Sequence, residues 1–161
     1  MTDQERSVQR ALGDLGIAFE RFEHPPVFTV EQAREHWARI DAAHCKNLFL
    51  RNKKGDRHLL VVAEHATPID IAAVAARVGE AKLSFASPER LLAHLGLTPG
   101  AVSPFGLLND HAKAVRVVLD RRLREATRIG LHPNVNTATV VLAMPDFERF
   151  LAARGNPVVW L

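Results

Sequence analysis

Lys46-Asn47-Leu48-Phe49-Leu50-Arg51 and His58-Leu59-Leu60-Val61-Val62-Ala63 frame the short linker Asn52-Lys53-Lys54-Gly55-Asp56. Both flanks are strongly apolar and of strand length, and the linker carries a glycine, so the stretch is predicted as a β-hairpin. Working outward, Val115 to Leu119, Arg128 to Leu131, Thr137 to Leu142 and Pro157 to Leu161 also read as strands. So do Ile17 to Glu23, which alternates apolar and polar residues, and the short Lys82 to Ala86. Helices are predicted for Thr2–Leu15, Val30–Arg39, Pro68–Val78, Glu89–Leu95 and Pro145–Arg154, with a short basic helical turn from Arg121 to Ala126. Interleaved helices and strands, some of the strands joined by hairpins, imply an α/β fold around a mixed sheet rather than a purely parallel one.

The boundaries have physical causes. In the first helix Val8, Leu12 and Leu15 fall on one stripe, and Gly16 closes it. Pro25 and Pro26 lack the amides that would extend a ladder. Thr29 is placed to cap the second helix, with Gln32 completing a capping box. Pro68 is read as the first residue of the third helix. Gly79 and Gly96 end their helices.

The chain has 161 residues and is read as one domain, residues 1–161. Its composition is 47% hydrophobic and 24% charged, ordinary for a globular protein with a real core. A single cysteine, Cys45, rules out an intrachain disulfide and fits a reducing cytoplasm. The first ten residues hold no apolar signal core, and no apolar run approaches the ~20 residues of a membrane span. Net charge is +3, which permits a polyanionic partner without requiring one. The eight histidines offer no His-Glu-x-x-His spacing, and neither a P-loop nor a dinucleotide fingerprint occurs, so neither a metal nor a cofactor is expected.

Three stretches are candidates for chemistry. In the first strand of the hairpin Lys46, Leu48 and Leu50 share a face; with the leucines turned to the core, the ammonium stands at the rim of an apolar surface. It either snorkels to water or meets a phosphate or ribose hydroxyl. Gly100-Ala101-Val102-Ser103-Pro104-Phe105-Gly106 is a turn-forming loop whose glycines let the backbone approach a ligand and expose amide donors. Ser103 lacks a nucleophile elbow and is read as a loop hydrogen bonder. His132-Pro133-Asn134-Val135-Asn136-Thr137 is a polar turn in which His132 either stabilises the turn or lines a pocket. Cys45 is expected to face away from Lys46 and to be an inert buried thiol.

In that order, from about Glu23 to Leu161, these stretches resemble the free-standing prolyl-tRNA editing proteins of the YbaK-like superfamily, relatives of the insertion-type editing domain of bacterial prolyl-tRNA synthetase. The resemblance implies a barrel-like mixed central sheet with surrounding helices. It implies a hydrolase that deacylates mischarged tRNA(Pro), with alanyl-tRNA(Pro) as the expected substrate. On it, Lys46 contacts the terminal adenosine, the Gly100–Gly106 backbone holds the carbonyl oxygen, and His132 orients the aminoacyl end or its water. The expected catalytic set is Lys46, Gly100, Ser103 and His132. Asn47, Ala101, Val102, Pro104, Phe105, Gly106 and Asn136 are expected to bind substrate. Arg51, Lys53, Lys54 and Arg57 on the hairpin, and Arg121, Arg122, Arg124 and Arg128 further on, are candidate phosphate contacts. The expected partners are the acceptor end of tRNA(Pro) and, transiently, prolyl-tRNA synthetase. A non-catalytic nucleic-acid-binding module and a deacylase of cysteinyl-tRNA(Pro) remain as alternatives.

Overall fold

A computed structural model describes residues 1–161 apart from the Val30 side chain. In chain order it contains α1 (Asp3–Asp14), β1 (Glu20–Glu23), α2 (Val30–Trp37), β2 (Ala43–Asn52), β3 (His58–Glu64), α3 (Ile71–Val78), β4 (Leu83–Phe85) and α4 (Pro88–Leu95). A 3-10 helix (Pro104–Asn109), β5 (Val115–Leu119), a second 3-10 helix (Arg121–Glu125), β6 (Arg128–Leu131), β7 (Ala138–Ala143), α5 (Met144–Arg154) and β8 (Val158–Trp160) follow. The strands form one mixed sheet in the order β1-β7-β6-β2-β3-β5-β8, with β4 added to β2. This is the mixed sheet with surrounding helices that the sequence implies.

The hairpin is its centre. β2 and β3 pair antiparallel from Cys45↔Glu64 to Arg51↔His58. Asn52 closes the turn: its Oδ1 accepts the amides of Asp56 and Arg57, each at 3.1 Å. β2 also runs parallel to β6, with Ala43↔Ile129 and His44↔Gly130. Carried two residues past that last pair, this register sets Lys46 beside His132, although the two are far apart in sequence.

Several boundaries move, each for a visible reason. β1 begins only at Glu20 because the Ile17 amide is taken by the Leu12 carbonyl at the end of α1, 2.9 Å away. α3 begins at Ile71, not Pro68: Asp70 Oδ1 accepts the amides of Ala72 and Ala73 and so fixes the start. In α2 Thr29 caps as expected, but the reciprocal bond shifts one residue back, since Gln32 Oε1 accepts the amide of Phe28 rather than that of Thr29. The second half of the glycine-proline loop is not a loop. Ser103 caps the 3-10 helix that opens at Pro104, whose missing amide costs nothing at that position.

Two apolar clusters fill the molecule. The larger joins Phe49, Leu60, Val62, Val117, Leu119, Ile129, Leu131, Val140 and Leu142 of the sheet to Phe105, Phe147 and Phe150. The smaller lies under α3 and holds Leu50, Leu59, Val61, Val74 and Val118. β2 separates them, and the two leucines that share a face with Lys46 turn to the core as expected. Leu48 and Leu50 face the smaller cluster, while Cys45 and Phe49 face the larger one. No helix among the described residues is long and apolar enough to cross a membrane.

Candidate functional site

Where β2 runs past the end of β6, a cleft of about 200 Å³ opens. Val27, Phe28, Thr29, Ala33 and Trp37 wall one side. Cys45, Lys46 and Asn47 contribute from β2, Gly100 and Val102 from the loop before the 3-10 helix, and His132 from the turn after β6. The three sequence stretches singled out above thus meet at one place, with α2 closing over them.

Lys46 is half-buried there and has no carboxylate within ion-pair distance among the described residues. An ammonium held in that way is complementary to an incoming anion or hydroxyl. His132 Nδ1 lies 3.2 Å from the Ala138 carbonyl, which fixes the proton on Nδ1 and leaves Nε2 as an acceptor. Burial pushes its pKa below the ordinary histidine value, with the Ala138 contact opposing and the neighbouring His24 and His44 assisting, so the ring is neutral near pH 7. His24 stands 6.3 Å away, centroid to centroid, and stacks on His36 at 5.3 Å.

Gly100 sits at φ 91°, a conformation that side-chain-bearing residues rarely adopt. A Cβ there would come within 3.3 Å of the Phe28 ring. Among the described residues the amides of Gly100 and Val102 find no protein acceptor, whereas the Ala101 amide is used by the Thr98 carbonyl at 3.2 Å. The open donors therefore come from the first half of the motif.

The second half is not part of the cleft. Ser103 is fully buried, and its hydroxyl accepts the Phe105 amide at 3.2 Å. The Gly106 amide is taken by the Ser103 carbonyl, 3.0 Å away. Phe105 packs edge-on against Phe150 in the core. Ala101, Ser103, Pro104, Phe105 and Gly106 do not line this cleft, whereas Gly100 and Val102 do. Gly106 is needed for packing, since a Cβ there would lie 2.7 Å from Leu97.

Asn134 and Asn136 are structural staples. Asn134, at φ 62°, donates from Nδ2 to the Phe105 carbonyl and ties the histidine turn to the 3-10 helix. Asn136 Nδ2 donates to the Val27 carbonyl at 3.2 Å, and its own carbonyl accepts the Val27 amide. That pair fixes the segment leading into α2. Asn47, which lines the cleft, is different: its Oδ1 is buried and has no hydrogen-bond partner.

Cys45 also lines the cleft, against the expectation that it would face away. It is an inert thiol as expected, because burial pushes its pKa up to about 12. Trp37 went unnoticed in the sequence; it stacks on His44 at 4.9 Å, and that pairing across distant elements has no local signature.

The hairpin cations lie at the far end of β2, about 20 Å from Lys46 at the usual strand rise. Arg51 donates to the carbonyls of Asn52 and Lys53, and Arg57 pairs with Glu80 at 3.0 Å. Lys53 and Lys54 are exposed. Of the second basic group, Arg124 stacks on Trp160 and Arg128 pairs with Glu20. Arg121 and Arg122 are exposed and line, with Arg77, a cleft at the Lys46 end of the sheet. Among the described residues no group of three or more His, Cys, Asp or Glu is arranged to hold a metal ion.

Residues 24–150 match the model of the aminoacyl-tRNA editing domain family. The prolyl-tRNA editing protein ProX of Acetoanaerobium sticklandii is 44% identical over 158 residues, covering 96% of this chain and 94% of that protein. A prolyl-tRNA synthetase associated domain-containing protein 1 of Danio rerio is 36% identical, covering 98% of this chain and 86% of that one. Among solved structures, a candidate trans-editing enzyme for prolyl tRNA synthetase superposes with a TM-score of 0.75 at 23% identity, over 100% of this chain and 98% of that one.

Proposed function

Because this chain belongs to the aminoacyl-tRNA editing domain family, we propose that residues 1–161 act as one trans-editing domain that hydrolyses mischarged tRNA(Pro), with alanyl-tRNA(Pro) as the preferred substrate. The observation that carries the reading is the convergence of Lys46, His132, Gly100 and Val102 on a single small cleft, the last two with amides that no protein group accepts among the described residues. Lys46 holds the terminal adenosine. Water attacks the ester carbonyl, and the oxyanion that forms accepts hydrogen bonds from the Gly100 and Val102 amides. His132 Nε2 accepts a hydrogen bond from that water and orients it. Collapse of the tetrahedral species breaks the ester C–O bond and releases free alanine, and the proton lost by the attacking water ends on the departing ribose oxygen. The ester is already activated, so positioning and oxyanion stabilisation can replace a nucleophilic triad.

The need for such an enzyme follows from selectivity. A synthetase site shaped for proline rejects a smaller apolar side chain by only ~1–3 kcal/mol per methylene. A second site that is too small for proline supplies the missing discrimination. The walls formed by Val27, Ala33, Cys45 and Val102 are the surfaces that would set this limit. The test is release of free alanine from alanyl-tRNA(Pro) by the purified protein; persistence of the ester at the buffer rate overturns the proposal.

A further inference from the structure

We propose that the groove next to the cleft binds an unpaired nucleobase of the RNA 3′ segment by stacking it on Phe85, an inference that rests on the editing reading above. A pocket of about 190 Å³ lies between β4 and the loop before the 3-10 helix, lined by Leu48, Phe85, Pro88, Leu91 and Pro99. It shares Asn47, Gly100 and Val102 with the cleft, so the two cavities are the two sides of one ridge.

The ridge is where the molecule exposes its aromatic surface. Of eight phenylalanines only Phe28, 70% exposed, and Phe85, 62% exposed, are large hydrophobics left open to solvent among the described residues. Phe28 lines the cleft and Phe85 the groove. β4 is short and pairs only with β2, where Phe85 sits opposite Leu50. An exposed ring on an edge strand adds nothing to the core.

A nucleic-acid occupant follows from continuity. If the ester lies against the Gly100 and Val102 amides, the preceding nucleotides must leave the cleft over its rim, and the groove is the adjoining apolar surface. Unpaired bases are held by stacking on aromatic rings, with sequence tolerance, because every base has a π-face. Asn47 lines both cavities, and its buried side-chain oxygen has no protein partner.

The experiment uses an acceptor-stem RNA hairpin with its unpaired 3′ tail, alanine attached through a non-hydrolysable amide, and 2-aminopurine at each of the two positions before the terminal nucleotide in turn. Wild-type protein should change the probe's fluorescence as the base stacks. Phe85→Ala should abolish that change at one position and weaken binding roughly tenfold. Phe85→Trp should restore both, and Phe85→Leu, which keeps the apolar surface without the ring, should restore neither. Unaltered thermal melting of the variants establishes that the fold persists. If wild type hydrolyses alanyl-tRNA(Pro) while Phe85→Ala binds and quenches as wild type does, the nucleobase site is overturned and editing stands. If Phe85→Leu fully rescues binding, the groove recognises apolar surface, not a base, and the inference is overturned. If wild type hydrolyses no charged tRNA, the editing reading itself falls and takes the groove's occupant with it.

Discussion

A lysine without a counter-ion and a cysteine that cannot ionise stand side by side in the cleft, and they make opposite predictions. Lys46→Ala should lower the single-turnover rate on alanyl-tRNA(Pro) at least 100-fold and leave melting unchanged, because no ion pair is broken. A rate within twofold of wild type removes Lys46 from the site. Cys45, its pKa pushed up to about 12, carries only ~1 thiolate in 10⁵ at pH 7 and is no nucleophile. Cys45→Ala should therefore keep hydrolysis within a few-fold; a dead, folded variant with an acyl-enzyme trapped on wild type would mean covalent catalysis. At this scale the sequence was legible where a residue acts through its own type and neighbours: Lys46, Gly100 and His132 all reach the cleft. It was illegible where long-range bonds decide. Asn136 and Ser103 carry the same polar groups as substrate binders, and only the distant Val27 and the turn into Phe105 show that the Asn136 Nδ2 and the Ser103 hydroxyl already hold the fold together.

β2 and β3 carry a second, purely structural consequence at the hairpin's far end. His58 Nε2 sits 3.1 Å from Arg90 Nη1, a donor, so the imidazole must accept and be neutral. Burial first, then the positive neighbours His94, Arg90 and Arg51, lower its pKa from 6.5 to about 4. The unfolded chain therefore takes up this proton at higher pH than the folded one. The contribution to stability is complete above about 6.5 and is lost as pH falls toward 4. Melting temperature should fall across that window in wild type and fall less in His58→Gln, whose amide oxygen can still accept from Arg90; parallel profiles would contradict the assignment. Element types were readable from turn chemistry and apolar runs, and the hairpin from its glycine-bearing loop; its register was not. Helix starts were less readable: Pro68 and Asp70 both mark one, and the carboxylate accepting two amides prevails over the proline.

Over the whole molecule, the parallel pairing of β2 with β6 is what brings Lys46 to His132, 86 residues further along the chain. Local pattern cannot specify that pairing, so the convergence rested on the family resemblance until the sheet order was in hand. Charge is distributed unevenly around this frame. Arg121 and Arg122 follow β5 at the Lys46 end, while Lys53 and Lys54 stand at the other. Affinity for tRNA(Pro) should drop log-linearly with salt, and neutralising Arg121 and Arg122 should flatten that slope more than neutralising Lys53 and Lys54. Equal slopes in the two double variants would contradict this orientation of the RNA. The central claim is a hydrolytic cleft too small for proline, and it is tested most directly by measuring deacylation of alanyl-tRNA(Pro) and prolyl-tRNA(Pro) side by side with one enzyme preparation. Rapid loss of alanine with prolyl ester decaying at the buffer rate is the predicted result; equal rates on the two, or no hydrolysis of either, would contradict it.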